Sequence, residues 1–316
     1  MGSGPVTAKR TSRGIYEVRF KGIGIPNTIF HLGNTQIVAV GTDPVRCKST
    51  YTVSDGAATD PSKLLGVACH DAAGALADSK FVAMYASVDS TPGGEGAYGW
   101  FGADCSSGEI PNYNSMGSYI TCTRDGTGTY TVRAGALGPN AASGNVQVTA
   151  QGSSSSADRC RVGSFGRDGS ELKFVVRCHS AGGSNADEAF FFNYSRGHAT
   201  SPFGYGAYAF ASNESSTEYV PSALWTSTPM GTLAGKFSTV GRYWMQFPLP
   251  GHPMFRVPFV VAAIPQSASS SKYCKVEQWL TLPDIGMVEV QTRCFDGNHQ
   301  PANATYLLHM PNHVMP

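Results

Sequence analysis

A tyrosine followed at fixed distances by two cysteines and an aromatic returns three times along this chain, and that recurrence constrains the fold more than any other feature. Gly14-Ile15-Tyr16 precedes Val18, Gly128-Thr129-Tyr130 precedes Val132, and Gly241-Arg242-Tyr243 precedes Met245. The tyrosines stand 114 and 113 residues apart. A first cysteine follows at 31, 30 and 31 residues, as Cys47, Cys160 and Cys274. A second follows 22, 18 and 20 residues later, as Cys69, Cys178 and Cys294. Twelve residues beyond these come Phe81, Phe190 and Tyr306. Chance does not align four landmarks in three copies, so the chain reads as a tandem array of one unit of about 113 residues.

Between the landmarks, apolar and polar residues alternate. Val146 and Val148 alternate with Asn145 and Gln147, and Phe174 and Val176 with Lys173 and Arg177. Period two marks strands with one face on a core. Turn formers such as Gly152-Ser153-Ser154-Ser155-Ser156 separate them. Only 14% of residues are charged, against roughly 25% in an average soluble chain, which leaves little for solvent-exposed helices. The predicted fold is all-β, with three tandem β-sandwich or jelly-roll-like repeats, each holding one internal disulfide. The expected units are 1–88, 89–197 and 198–316. Two aromatic segments, around Ala97-Tyr98-Gly99-Trp100-Phe101 and Ala207-Tyr208-Ala209-Phe210, are assigned to the cores that follow them, so repeat 1 lacks its leading strands. The sequence leaves open the opposite phasing, in which each segment closes the core before it. Connectors this long are expected to be structured and to pack the units into one body with a pseudo-threefold arrangement.

A cysteine pair occurring once per copy is most simply a bond within each copy. The expected disulfides are Cys47–Cys69, Cys160–Cys178 and Cys274–Cys294, with the remaining Cys105 and Cys122 joined to each other. Loops of about 20 residues closed in this way contribute roughly 3 kcal/mol each in the chain-entropy model. Zinc is the competing reading. His70 and His179 directly follow second cysteines, but Phe295 holds that place in repeat 3. Adjacent strand residues also point to opposite faces. No metal and no cofactor are therefore expected. Four disulfides place the protein outside the cell, secreted or on a surface. The start, Met1-Gly2-Ser3-Gly4, has no apolar signal region and is expected to replace a removed signal peptide.

Net charge is +1, and the only basic cluster is Lys9-Arg10-Thr11-Ser12-Arg13, too small an electrostatic footprint for nucleic acid. No apolar run is long enough to span a membrane. The nucleophile-elbow, zinc-protease, phosphate-loop and dinucleotide motifs are all missing, and no catalytic residue is assigned. Asp78 and Asp187 stand nine residues after the second cysteine, where repeat 3 has Asn303, and they read as turn caps rather than catalytic acids. The aromatics of the inter-core segments are the binding candidates: Tyr98, Trp100, Tyr113, Tyr208, Tyr219 and Trp225. Exposed rings beside Asn, Ser and Gly form glycan- and peptide-binding surfaces, whereas the bland reading gives alternate members to the core.

The runs Thr127-Gly128-Thr129-Tyr130-Thr131-Val132-Arg133, Arg159-Cys160-Arg161-Val162 and Val175-Val176-Arg177-Cys178, with Tyr273-Cys274-Lys275-Val276 and Thr292-Arg293-Cys294-Phe295 in the third copy, resemble the disulfide-containing β-domain repeats of secreted proteins from actinobacteria and related soil bacteria. That resemblance spans nearly the whole chain and implies export and a β-fold, with no catalytic residues to carry over. Three functions are expected in this order. The first is a non-catalytic extracellular binding protein giving multivalent recognition of a glycan or cell-surface polymer. The second is a self-assembling structural surface protein, and the third a secreted enzyme with an unrecognised site.

Overall fold

Period-two alternation becomes strand throughout the computed structural model, which describes residues 5–24, 33–59, 61–86, 95–107, 112–196, 206–226, 232–248, 264–265 and 271–311. Met1–Gly4, expected to stand in place of a removed signal peptide, lies outside these. The first copy supplies β1 (Val6–Ser12), β2 (Ile15–Phe20), β3 (Asn34–Val40), β4 (Arg46–Ser54), β5 (Lys63–His70) and β6 (Lys80–Ala86), followed by β7 (Glu95–Phe101) and β8 (Tyr113–Asn114). The second supplies β9 (Ile120–Gly126), β10 (Thr129–Ala134), β11 (Asn145–Gln151), β12 (Arg159–Asp168), β13 (Glu171–His179) and β14 (Ala189–Arg196), followed by β15 (Gly206–Ala211) and β16 (Ser222–Thr226). The third supplies β17 (Leu233–Lys236), β18 (Arg242–Pro248), β19 (Ile264–Pro265), β20 (Tyr273–Leu282), β21 (Met287–Phe295) and β22 (Tyr306–Pro311). The helical turns among the described residues are short 3-10 pieces, such as Gly138–Ser143.

The second copy shows how a unit closes. One sheet runs β12-β13-β10-β9, and across from it lie β11, β14, β7 and β8. Tyr130, Val132, Phe174 and Val176 from the first sheet meet Val146, Phe190, Phe192 and Phe101 from the second in one buried core. Each such side chain contributes about 1.5–3 kcal/mol on burial. β7 hydrogen-bonds along β14, and β15 along β22, so each inter-core segment joins the last strand of the core that follows it. In the first copy β6 ends its sheet among the described strands. Phe81 and Ala83 are accordingly half-buried where Phe190 and Phe192 are fully buried.

The recurring glycine and tyrosine form a brace. Gly14, Gly128 and Gly241 have φ of +69°, +62° and +69°, and each carbonyl accepts from the amide of its second cysteine, at 2.8, 2.8 and 2.7 Å. Each glycine amide donates to Asp78, Asp187 or Asn303 at 2.8, 2.8 and 3.0 Å, so this Asx position caps a turn in every copy. The tyrosine hydroxyl accepts from the amides of Ser79, Glu188 and Ala304. Its ring packs on the recurring aromatic: Tyr16 on Phe81 at 5.1 Å, Tyr130 on Phe190 at 5.2 Å, Tyr243 on Tyr306 at 5.4 Å. The Arg124 guanidinium, with the Gly128 amide, lowers the Asp187 carboxyl to about 2. The cysteine pairs sit directly opposite each other in β4–β5, β12–β13 and β20–β21, with Cα atoms 4.0 Å apart. Cys105 and Cys122 form the fourth disulfide.

The three units close a ring. β4 pairs in parallel with β11 (Ser49 with Gln151), β20 pairs in parallel with β3 (Val276 with Val40), and β12 lies against β19. The fourth strand of each copy thus meets the third strand of the next, from copy 1 to 2, 2 to 3 and 3 back to 1. At the far edge of the largest sheet, β1 is exposed along its length. Lys9 and Arg10 stand on that edge strand, and charges there oppose pairing with another chain.

A Cβ on Gly128 would lie 2.4 Å from the Cys178 carbonyl oxygen, whereas at Gly169, with φ +63°, it meets nothing within 4 Å. Gly169→Ala is expected to lower unfolding free energy by about 1–2 kcal/mol, the left-handed penalty alone. Gly128→Ala is expected to lower it by at least about 2 kcal/mol more through the clash. Urea unfolding of both variants measures the difference, and equal losses would remove the brace from the account.

Candidate functional site

The aromatic candidates divide between core and margin. Tyr98 and Tyr208 are 2% and 1% exposed, so neither ring presents a face to a ligand. Alternation along β7 and β15 turns both toward packed neighbours, with Tyr98 stacked on Tyr113 at 5.2 Å and Tyr208 donating its hydroxyl to the Ser143 carbonyl. Trp100 and Tyr113 are half-buried, and the Trp100 amide donates to Asn112. Tyr219 is half-buried against the third core. The backbone of Trp225 pairs with Tyr208, and its side chain lies outside the described set. The structure brings Tyr98 to Tyr113, and β16 to β15, but assembles no shared aromatic platform from these six among the described side chains.

A different cluster lies where the three units meet. Arg46, Arg159 and Tyr273 each precede the first cysteine of their copy, and Lys48, Arg161 and Lys275 each follow it. All six line one cavity of about 80 Å3 between the starts of β4, β12 and β20 and the middles of β3 and β11. The five cations are 2–8% exposed. The volume is far above the roughly 10–15 Å3 that one water needs.

Rotated copies of the same contacts hold these groups. Arg46 Nε donates to the Ala157 carbonyl at 3.1 Å, Arg159 Nη2 to Ser271 at 3.0 Å, and the Tyr273 hydroxyl to Pro44 at 3.1 Å. Each acceptor stands three residues before the first cysteine of the next copy. Lys48 Nζ reaches Ser156 Oγ at 2.6 Å and Lys275 Nζ the Asp43 carbonyl at 2.6 Å, both four residues before it. His299 bridges Tyr273 Oη (3.0 Å) and the Ala181 carbonyl (3.0 Å). The Arg159 guanidinium lies 5.0 Å over the Tyr273 ring.

Charge is poorly balanced here. Lys48 pairs with Glu188 at 2.9 Å. Among the described residues Arg46, Arg159 and Lys275 are in no ion pair, and Asp158 is the one carboxylate on the wall. Arg46 Nη2 and Arg159 Nε have no hydrogen-bond partner among the described residues. Burial, helped by Arg46, lowers the Arg159 guanidinium to about 10, and burial lowers Lys275 to about 8. Burial with Arg161 and Arg159 lowers His179, directly opposite Arg159, to about 4. Such a set can hold an anion, and it assembles no three-ligand metal group among the described residues.

In the sequence the residues flanking Cys160 and Cys274 stand out only within the runs that carry the family resemblance. The usable signal was a lysine or arginine after the first cysteine in all three copies of a charge-poor chain. No family model, no curated protein and no solved structure matches the chain. Among the described residues no helix is long and apolar enough to cross a membrane.

His179 carries a signed pH effect. Its folded value of about 4 lies below the model-compound 6.5, so the unfolded chain protonates first as pH falls through that window. Stability from this group is intact above pH 6.5 and declines toward pH 4, by up to about 3 kcal/mol. The difference in unfolding free energy between wild type and His179→Asn, followed from pH 7 to 4, is expected to shrink. A difference independent of pH would show that His179 is not held neutral against the arginines.

Proposed function

We propose that this chain is a non-catalytic extracellular binding protein whose three repeats together build one receptor for an acidic ligand, the anionic substituent of a glycan or cell-surface polymer. The observation that carries this reading is the axial cavity, lined by buried Arg46, Arg159 and Lys275 with Asp158 as the only carboxylate on its wall among the described residues. Buried cations without counter-charges are unfavourable unless something neutralises them. Four disulfides are compatible with an oxidising, extracellular setting, and export is also what the resemblance to secreted bacterial repeats implies. Ring closure favours one composite site over three separate ones. At β1, the exposed edge of the largest sheet, Lys9 and Arg10 work against self-assembly by strand pairing.

Immobilised polysaccharides test the reading. Sulfated, phosphorylated or uronate-bearing polymers are expected to retain the protein, neutral glucans are not, and an Arg46→Gln/Arg159→Gln variant is expected to bind at least about tenfold more weakly. Retention by neutral glycans that survives the double substitution but is lost in Trp100→Ala would return the site to the aromatic segments.

A further inference from the structure

We infer that the axial cavity is a site for a tetrahedral oxyanion, sulfate or phosphate, either free or as the terminal group of an ester. This rests on the reading of the cavity as an anion receptor and specifies its ligand.

Shape gives the first reason. Donors at the cavity come from matched positions of the three copies: Arg46 and Arg159 in one tier, where Tyr273 gives its one hydroxyl proton to Pro44, and Lys48, Arg161 and Lys275, one cation from each copy, in the next. A tetrahedral oxyanion viewed along one of its bonds shows three equivalent oxygens to such a ring. A carboxylate is planar with two oxygens and is matched by the fork of a single arginine. Size agrees, because a cavity of about 80 Å3 admits a small polyatomic anion.

Charge gives the second. Glu188 neutralises Lys48, but Arg46, Arg159 and Lys275 are in no ion pair among the described residues, where Asp158 is the one carboxylate lining the cavity, and that excess is offset better by a dianion than by a monoanion. The third is donor capacity. Arg46 Nη2 and Arg159 Nε keep N–H groups without partners among the described residues, on side chains more than nine-tenths buried. Arg46 Nε is held by the Ala157 carbonyl and its Nη1 lies 3.4 Å from His299 Nδ1, while Arg159 Nη1 and Nη2 are held by the Ser180 and Ser271 carbonyls, so both guanidinium planes are set before a ligand arrives.

Calorimetric titration of the full-length, exhaustively desalted protein with sulfate, phosphate, methyl phosphate, acetate and chloride at constant ionic strength tests this. Sulfate and phosphate are expected to bind one per chain, with acetate and chloride weaker by about tenfold or more. Arg46→Gln and Arg159→Gln are each expected to weaken sulfate by about tenfold, and Lys9→Gln on the exposed β1 is expected to change nothing. The arginine side-chain Nε–Hε signals of the unmutated protein should shift with sulfate, which keeps the test valid if a variant does not fold. Methyl phosphate binding like phosphate supports the inference and assigns an ester as the source; its exclusion, with phosphate still bound, supports it and assigns the free ion. Acetate binding as tightly as sulfate, and depending on Arg46, would overturn the oxyanion while leaving the acidic-ligand reading intact. Binding of no anion at all would overturn both.

Discussion

A guanidinium or ammonium group removed from water has to find carbonyl dipoles, and the three units of this chain supply them to one another. Arg46 reaches Ala157, Arg159 reaches Ser271, and Lys275 reaches Asp43, each across a boundary between copies. Hydrogen bonds to a charged donor contribute about 1.5–3 kcal/mol net, but only while the carbonyl stays in place. Because the contacts run from copy 1 to 2, 2 to 3 and 3 to 1, no interface can open without exposing cations that the other two help to bury. Closure is therefore cooperative, and the internal disulfides that pin the starts of β4, β12 and β20 fix the donors in register. The polar strip beside the cavity follows the same rotation: Gln36 donates to Asn34, and Gln147 to Asn145, at 2.8 Å in each case.

Carbonyls satisfy the donors without cancelling the charge. Burial and then Arg46 disfavour the charged form of Arg159, and burial with both arginines disfavours a proton on His299. On the proposed reading, an anion bound there would relieve that repulsion in the folded ring and find no comparable site in the unfolded chain, so ligand binding and stability would be linked by mass action and all three interfaces would tighten at once.

The landmarks legible in the sequence are the ones whose physics is local or periodic. Tyr130, Cys178 and Phe190 recur because one brace, one cross-strand bond and one ring contact recur, and spacing along the chain is enough to find them. The phasing of the inter-core segments was not legible, since only the pairing of β7 with β14 and of β15 with β22 decides it. The axial site was hidden for a related reason. Arg161 beside Cys160 reads as the solvent side of an alternating strand, because period two reports that a strand has two faces and says nothing of what covers the second. Here the second face is covered by the neighbouring units, and a site assembled from three copies has no local signature in any one of them. Composition failed in the opposite direction at Tyr98 and Tyr208, which a charge-poor chain uses to fill its interior.

The third copy separates the two roles of the axial cations. Tyr273 occupies the position of Arg46 and Arg159 and makes the equivalent bond, donating to Pro44 as they donate to Ala157 and Ser271. A neutral hydroxyl is therefore sufficient to hold an interface at this position. The ring needs a donor there, and it does not need a charge. Two of the three positions nevertheless carry arginine, buried beyond nine-tenths and outside any ion pair among the described residues. If these groups served only to join the units, hydroxyls or amides would do so without the desolvation penalty of a buried cation, which is several kcal/mol per ion even after relaxation. Structural cement accounts for the hydrogen bonds at the axis and leaves the charge unexplained, and an acidic ligand accounts for both.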